Sequence, residues 1–277
     1  MTQVRFPRTV VGGVSLPRLI IGTNWMLGYS HTSQAKDRFI REYQTRERIA
    51  ALLEVFLEYG IDAVMSPLSE HLEQSIRDSE QRTGKHLIRI YTPSFGFGPQ
   101  ADPSAEQAFD QCAEFGATFC MPHQCVTDAL VDRRSGTIRD LATYTAMIRE
   151  RGMIPGLSTH TPETVVYADK MNADVETYIQ IYNSAGFLMQ VEADWVMRII
   201  QEARKPVMTI KPLAAGKLLP VAGLAFVWST IRACDMVTVG TTTPDEAREC
   251  IELSLDLLSQ RIPQNTLQET RSKQSLK

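Results

Sequence analysis

Short apolar, β-branched runs alternate along the whole chain with longer stretches of helical periodicity. The runs are Leu19–Thr23, Ile61–Ser66, Leu87–Thr92, Ala117–Met121, Ile154–Ser158, Tyr178–Tyr182, Val207–Ile210 and Met236–Val239. Each is bounded by Gly, Pro or polar residues, as buried parallel strands are. Between them, Thr45–Glu58 gathers Ile49, Leu52, Leu53, Phe56 and Leu57 on one face and stops at Gly60, the pattern of an amphipathic helix. The segments Ser69–Arg82, Pro103–Phe115, Ile138–Arg151, Pro162–Met171, Glu192–Ala203, Val221–Arg232 and Pro244–Leu258 read the same way. Thr161-Pro162 and Thr243-Pro244 pair a capping side chain with a proline suited to the first helical turn.

Eight strand–helix units in strict alternation predict an α/β fold, a (β/α)8 TIM barrel, with its working mouth at the C-terminal ends of the strands. A doubly wound sheet is the competing reading, but no GxGxxG turn follows a strand. Val4–Ser15, with Gly12-Gly13 at its centre, predicts an N-terminal β-hairpin closing the barrel bottom. No linker interrupts the pattern, so one domain is expected over 1–277, with a loose polar tail over about 262–277. Two long loops follow strands 1 and 4, Asn24–Gln44 and His123–Thr137. The first carries Trp25, Tyr29 and Phe39 and reads as a lid or a disordered segment.

At 277 residues the chain is close to the ~250 typical of such a barrel. Its 29 basic and 32 acidic residues leave a net charge of −3, which gives no reason to expect nucleic acid or an anionic membrane as partner. The N-terminus lacks a secretory apolar core, and Pro220 and Gly223 break the longest apolar candidate, Leu218–Val227. A cytoplasmic protein with a small-molecule substrate is expected, its oligomeric state open. Five scattered cysteines argue against a disulfide framework.

The predicted mouth would gather Asn24, Thr92, His123, His160, Asn183, Lys211 and Thr241. Such a set suits a small oxygen-rich ligand, a sugar or keto acid, with Asn24, Thr92, Asn183 and the wall residue Trp25 touching it. His123 and His160 read as an acid/base pair or as two metal ligands. Lys211 reads as a base or Schiff-base nucleophile, or as a partner of Glu192 or Glu70. Cys120, His123 and Cys125 have a superficially zinc-like spacing, but strand alternation sends Cys120 and His123 to opposite faces, and no metal is expected. Glu70-His71 read as the first turn of a helix, where the dipole favours Glu70.

Several segments resemble the aldo-keto reductases in the right order: VSLPRLIIGTNW (Val14–Trp25), GIDAVMSPLSEHLEQSI (Gly60–Ile76), PGLSTHTPE (Pro155–Glu163), IYN (Ile181–Asn183), IKPLAAGKL (Ile210–Leu218) and VTVGTTTPDEARECIE (Val237–Glu252). The fifth strand of the family, matched by Pro155–Glu163, reads Gly-x-Ser-x-His in the branch that this chain resembles. The resemblance implies carbonyl reduction with a nicotinamide cofactor through an Asp, Tyr, Lys and His tetrad, in which Tyr gives the proton and His orients the substrate. Carried over, the Asp position falls on Met65, the Lys position on Pro93, no Tyr follows in Ser66–Ser69, and only the His persists, as His123. The implied cofactor residues are Ser158, Thr159 where the family has Asn, Thr241, Thr242 and Glu249, while Glu246 and Cys250 replace phosphate-site residues. Amides of Thr241 and Thr242 at the start of the last helix would still offer a phosphate site, so NAD or NADP is weakened rather than excluded.

Three readings therefore stand side by side. One is an enzyme on this scaffold that has left hydride chemistry for a lyase, isomerase or epimerase reaction. Another is an NAD(P)H oxidoreductase with Tyr91 or His160 as substitute proton donor. The third is a non-catalytic binding barrel.

Overall fold

The computed structural model describes residues 5–96 and 103–263. The chain opens on an antiparallel hairpin of β1 (Arg8–Val11) and β2 (Val14–Pro17), paired from Arg8↔Pro17 to Val11↔Val14. Parallel strands follow: β3 (Leu19–Gly22), β4 (Ala63–Ser66), β5 (Ile88–Tyr91), β6 (Phe119–Cys120), β9 (Ile154–Pro155), β10 (Leu157–Thr159), β11 (Tyr178–Ile181), β12 (Val207–Ile210) and β13 (Met236–Gly240). Their order, β10-β11-β12-β13-β3-β4-β5-β6-β9, ends on two halves of the same fifth strand.

Gly156 joins those halves and closes the barrel. Its N–H donates to Cys120 O, and the next amide, of Leu157, donates to Thr177 O, so the two halves pair with opposite neighbours. A Cβ there would lie 2.9 Å from Thr177 O and 3.0 Å from the Met121 thioether. Only glycine lets three backbones approach so closely.

Alternation along each strand divides the apolar residues between two cores. Ile20, Ala63, Met65, Ile90, Phe119, Met121, Ile179, Met208 and Met236 fill the barrel, and Val11 and Leu16 of the hairpin join them as the plug of the N-terminal end. Leu19, Ile21, Val64, Tyr178, Val207, Val237 and Val239 face outward to the helices. The sequence expectation of an α/β (β/α)8 TIM barrel with an N-terminal hairpin holds. Val4 and residues 264–277, most of the expected loose tail, lie outside the described residues.

The outer helices are α3 (Arg46–Glu58), α4 (Glu70–Thr83), α5 (Ala105–Glu114), α7 (Leu141–Glu150), α8 (Glu163–Lys170), α9 (Ala193–Glu202), α10 (Pro220–Thr230) and α11 (Pro244–Leu258), preceded in chain order by α1 (Asn24–Leu27) and α2 (Gln34–Tyr43) and interrupted by α6 (Gln124–Leu130). Their starts are chemically marked: Thr45, Ser69 and Thr243 accept from the amides of Arg48, Leu72 and Glu246, and Ser104 and Gln107 form a reciprocal capping box. Neither long loop is irregular. Asn24–Gln44 contains α1 (Asn24–Leu27) and α2 (Gln34–Tyr43), and His123–Thr137 contains α6 (Gln124–Leu130) and the small hairpin of β7 (Val131–Asp132) and β8 (Thr137–Ile138). No helix among the described residues is long and apolar enough to cross a membrane.

Candidate active site

The C-terminal ends of the strands open into a cavity of about 770 Å³, within the usual range for small-molecule sites. Of the residues singled out in the sequence, Asn24, Trp25, Thr92, His123, Ser158, His160, Lys211, Thr241, Thr242 and Glu249 line it. Thr159 and Asn183 do not. The Thr159 hydroxyl donates to Asp128, with Thr161 O and the Thr164 hydroxyl also at 3.0 Å. Asn183 is buried, its amide exchanging two hydrogen bonds with the backbone of Phe187. Both hold turns of the chain, so neither side chain is available to a ligand.

His123 follows β6 and caps α6. The Cys125 amide donates to its Nδ1, and Cys125 Sγ lies 3.1 Å from the same nitrogen. With Nδ1 as acceptor, the hydrogen of the neutral ring sits on Nε2, which has no partner among the described residues. Burial, and then the charge of Lys211, hold His123 below the ordinary imidazole range. Its ring is therefore neutral at neutral pH, with a free N–H donor.

His160 follows β10, and its amide donates to Asp128 Oδ2 at 3.0 Å. Burial lowers its pKa to about 4, with Lys211, His123 and His31 adding like-charge repulsion. Between pH 6.5 and about 4, the unfolded chain binds a proton that the folded site refuses. This contribution to stability is therefore complete above pH 6.5 and is lost as the pH falls towards 4. Thermal melts at pH 7.5 and 4.5 should show a larger drop for the wild type than for His160→Gln. Equal drops would contradict this reading.

Lys211 follows β12 with its backbone in the left-handed region, φ 59, an uncommon conformation for a residue with a Cβ. Burial lowers its pKa to about 8. It pairs with neither Glu192 nor Glu70, the partners weighed from sequence. Its ammonium group instead meets Nε2 of His31 at 3.2 Å. Sequence reasoning missed His31, which sits between α1 and α2, also at positive φ. Its Nδ1 is 2.9 Å from Tyr29 O, so Nδ1 carries the hydrogen and Nε2 offers a lone pair to Lys211. The nearest sequence signal was only that this histidine lay in the loop read as a lid.

At the ends of β4 and β5, Met65 and Ser66 also line the cavity, and the hydroxyl of Thr92 donates to Ser66 O at 3.3 Å. The Ser66 and Thr241 hydroxyls are buried without a partner. Pro93 follows Thr92, and its carbonyl accepts from the His123 amide. Tyr91, weighed as a substitute proton donor, points the other way. Its hydroxyl donates to Glu73 Oε2 at 2.5 Å in the helix-facing layer, which removes it from the mouth.

At β13 the cavity is acidic. Glu246 and Glu249 line it, and Glu246 Oε2 accepts from the Thr242 amide at 2.7 Å. The amide expected to hold a phosphate is thus already bonded to a carboxylate of its own helix. Trp25 reaches from Gly216 to Gly240, its ring atoms 3.9 and 3.3 Å from where Cβ atoms would stand. Lys217, the other lysine of the lining, lies 4.1 Å over the Phe187 ring. No group of three or more His, Cys, Asp or Glu among the described residues is arranged to hold a metal ion. Cys120 lies in the helix-facing core with Cys112, apart from His123.

No family model matches the sequence, and no curated protein matches it. Solved structures do. A protein of Pseudomonas aeruginosa ascribed to the aldo-keto reductases superposes with a TM-score of 0.66 at 17% identity, over 93% of this chain and 98% of that one. An aldo/keto reductase from Brucella melitensis gives 0.57 at 12% over 92% and 99%. An aldose reductase from Giardia lamblia gives 0.55 at 13% over 94% and 90%. With the closed barrel, its hairpin plug and this mouth, the chain has the fold of the aldo-keto reductases.

Proposed function

We propose that this barrel is an enzyme that acts on a small sugar-like or keto-acid carbonyl compound by acid–base chemistry, as a lyase, isomerase or epimerase, without hydride transfer. The observation that carries the reading is the meeting of His123, His160 and Lys211 in one cavity, with Met65 and Pro93 where the resembling family has its Asp and Lys. A thioether and a proline cannot tune a tyrosine, and no tyrosine hydroxyl bonds to His123 among the described residues. In their place stand two neutral imidazoles and a lysine whose pKa of about 8 leaves part of it unprotonated at neutral pH.

In this reading His123 donates through Nε2 to the carbonyl oxygen, His160 exchanges a proton on the adjoining side, and Lys211 is the strongest base. Asn24, Thr92 and the indole of Trp25 contact the substrate. A nicotinamide dinucleotide fits the residues poorly. Ser158 would face it, but the Thr242 amide that would meet a phosphate is already bonded to the carboxylate of Glu246. The proposal extends to a single cytoplasmic barrel domain with no nucleic-acid partner.

The test is proton exchange in heavy water. Unphosphorylated aldoses, ketoses and 2-keto acids are incubated with the protein, without added cofactor, and followed by nuclear magnetic resonance. Deuterium entering the carbon beside the carbonyl, or a rearranged product, is the expected outcome. NADPH should neither raise the melting temperature nor support reduction of a simple carbonyl. A turnover of ~1–1000 per second with NADPH would establish the oxidoreductase reading instead. The absence of both exchange and reduction across the panel would favour a binding barrel.

A further inference from the structure

The half-buried amine of Lys211 has no carboxylate partner among the described residues. Its one hydrogen bond is to a neutral imidazole, His31 Nε2. Structural lysines at such depth are normally paired with an acid, because an isolated buried charge is costly. Here burial alone lowers the lysine, and its neighbours are imidazoles rather than carboxylates. His31 from the α1–α2 segment, His123 from the end of β6 and His160 from the end of β10 all interact electrostatically with the same ammonium group.

The backbone adds a second, independent observation. Lys211 and His31 are both held at positive φ, 59 and 58, a conformation that costs energy for residues other than glycine and persists where the surrounding structure enforces it. Lys211 is fixed by the turn after β12, where the Ala214 amide donates to its carbonyl. His31 is fixed by its own ring on Tyr29 O and by the neighbouring cage in which Asp37 accepts from the amide and hydroxyl of Ser30. Two strained residues on separate elements thus bring one amine and one lone pair to 3.2 Å.

We propose that Lys211 forms an imine with the carbonyl carbon of a small unphosphorylated aldehyde or ketone, and that His31 accepts the proton that frees the amine. The step rests on the reading of the site given above and specifies its chemistry. Lys211 passes a proton to His31 Nε2, and the Nζ lone pair adds to the carbonyl carbon, breaking the carbon–oxygen π bond. The oxygen, held by the His123 Nε2–H hydrogen bond, takes up one of the two protons on the attacking nitrogen to give a neutral carbinolamine. The carbinolamine nitrogen keeps the other hydrogen, while the hydroxyl takes the proton held by His31 and leaves as water. An ammonium and a carbonyl have become a protonated imine and one water, with no net gain or loss of protons and no redox partner. The iminium then withdraws electrons from the neighbouring carbon, which makes its C–H acidic towards His160. The Glu246 carboxylate, which lines the same cavity and occupies the Thr242 amide, disfavours phosphorylated substrates.

Borohydride trapping tests this directly. The wild-type protein is incubated with pyruvate, dihydroxyacetone or glyceraldehyde as probes, treated with sodium cyanoborohydride and mapped by mass spectrometry. The expected result is one reduced adduct per chain, on Lys211 in preference to Lys36 and Lys217, with at least one probe. Trapping should rise as the pH is raised through about 8, as free amine becomes available. His31→Ala should slow trapping at pH 7 by roughly 10-fold and slow it less at pH 9, where the amine needs no acceptor. Lys211→Arg, which keeps the charge, should abolish the adduct. Adducts spread evenly over exposed lysines, or none with any probe, would overturn the proposal. Deuterium exchange that persists in Lys211→Arg would overturn the imine while leaving the acid–base reading of the site in place.

Discussion

Replacing His123 with Gln is expected to reduce turnover on the protein's substrate by ~100-fold or more, the usual contribution of a positioned general acid or base. The expectation follows from the ring's hydrogen-bonding state. Cys125 N–H fixes Nδ1 as the acceptor, so the one remaining ring hydrogen, on Nε2, faces the cavity that the ring lines. Burial and the charge of Lys211 keep the ring neutral, so it gives a hydrogen bond to a developing oxyanion and is ready to exchange its proton. Glutamine can still donate a hydrogen bond, but it cannot transfer a proton at neutral pH. The substitution should therefore lower kcat and leave KM within a few-fold.

Folding should be nearly unaffected by the same change. His123 caps α6, a helix of 7 residues, and removal of a cap costs ~1 kcal/mol. A melting temperature within a few degrees of wild type, together with the kcat loss, would support the assignment. A His123→Gln protein with full turnover would sink it and turn attention to His160 as the principal acid.

The barrel was readable because eight buried strands impose eight apolar runs, and their spacing allows few other arrangements. His123, His160 and Lys211 were readable for a related reason: a polar or titratable side chain just past the C-terminal end of a barrel strand is directed to the mouth. Thr159 and Asn183 occupy equivalent positions by sequence, yet their side chains turn back to bond Asp128 and the Phe187 backbone. Nothing in a local pattern distinguishes a turn-forming polar residue from a ligand-binding one.

His31 was beyond the reach of pattern reading for another reason. It is brought to Lys211 by α1 and α2, and α2 buries only Ile40, too little for a visible apolar face. The pair is held instead by long-range bonds. Gln44 Nε2 donates to Thr242 O at 2.7 Å and to Trp25 O at 3.4 Å, tying the end of α2 to the β13 loop. Tertiary contacts of this kind routinely override weak local propensity. Glu246 was read as the loss of a phosphate-site residue, but the bond it makes to the Thr242 amide needed coordinates to be seen.

Arg89→Met is expected to destabilise the protein by ~3–5 kcal/mol, the usual cost of stripping one partner from a buried ion pair. Arg89 lies in β5, inside a run that reads as wholly buried, and its side chain is 6% exposed. It faces outward to α4, where its Nε and Nη2 reach both oxygens of Glu73 at 2.7–3.1 Å and its Nη1 and Nη2 reach Glu80 at 3.0–3.1 Å. Glu73 is 3% exposed and also accepts from the Tyr91 hydroxyl. Methionine fills most of the volume but leaves the Glu73 carboxylate in an apolar layer with only that hydroxyl and the more distant Arg77, at 3.7 Å, to balance it. The melting temperature should fall by roughly 10 °C, at the ~2–4 °C per kcal/mol expected for a protein near this size. Adding Glu73→Gln should recover much of the loss, because the amide removes the orphaned charge and still accepts from Tyr91. The solvent-exposed Arg46–Asp78 pair, whose arginine is 51% exposed, provides the contrast: Arg46→Met should barely move the melting temperature, since exposed pairs contribute little. An Arg89→Met protein that melts within two or three degrees of wild type, or a double variant less stable than the single one, would show that the network is not what ties α4 to the barrel wall.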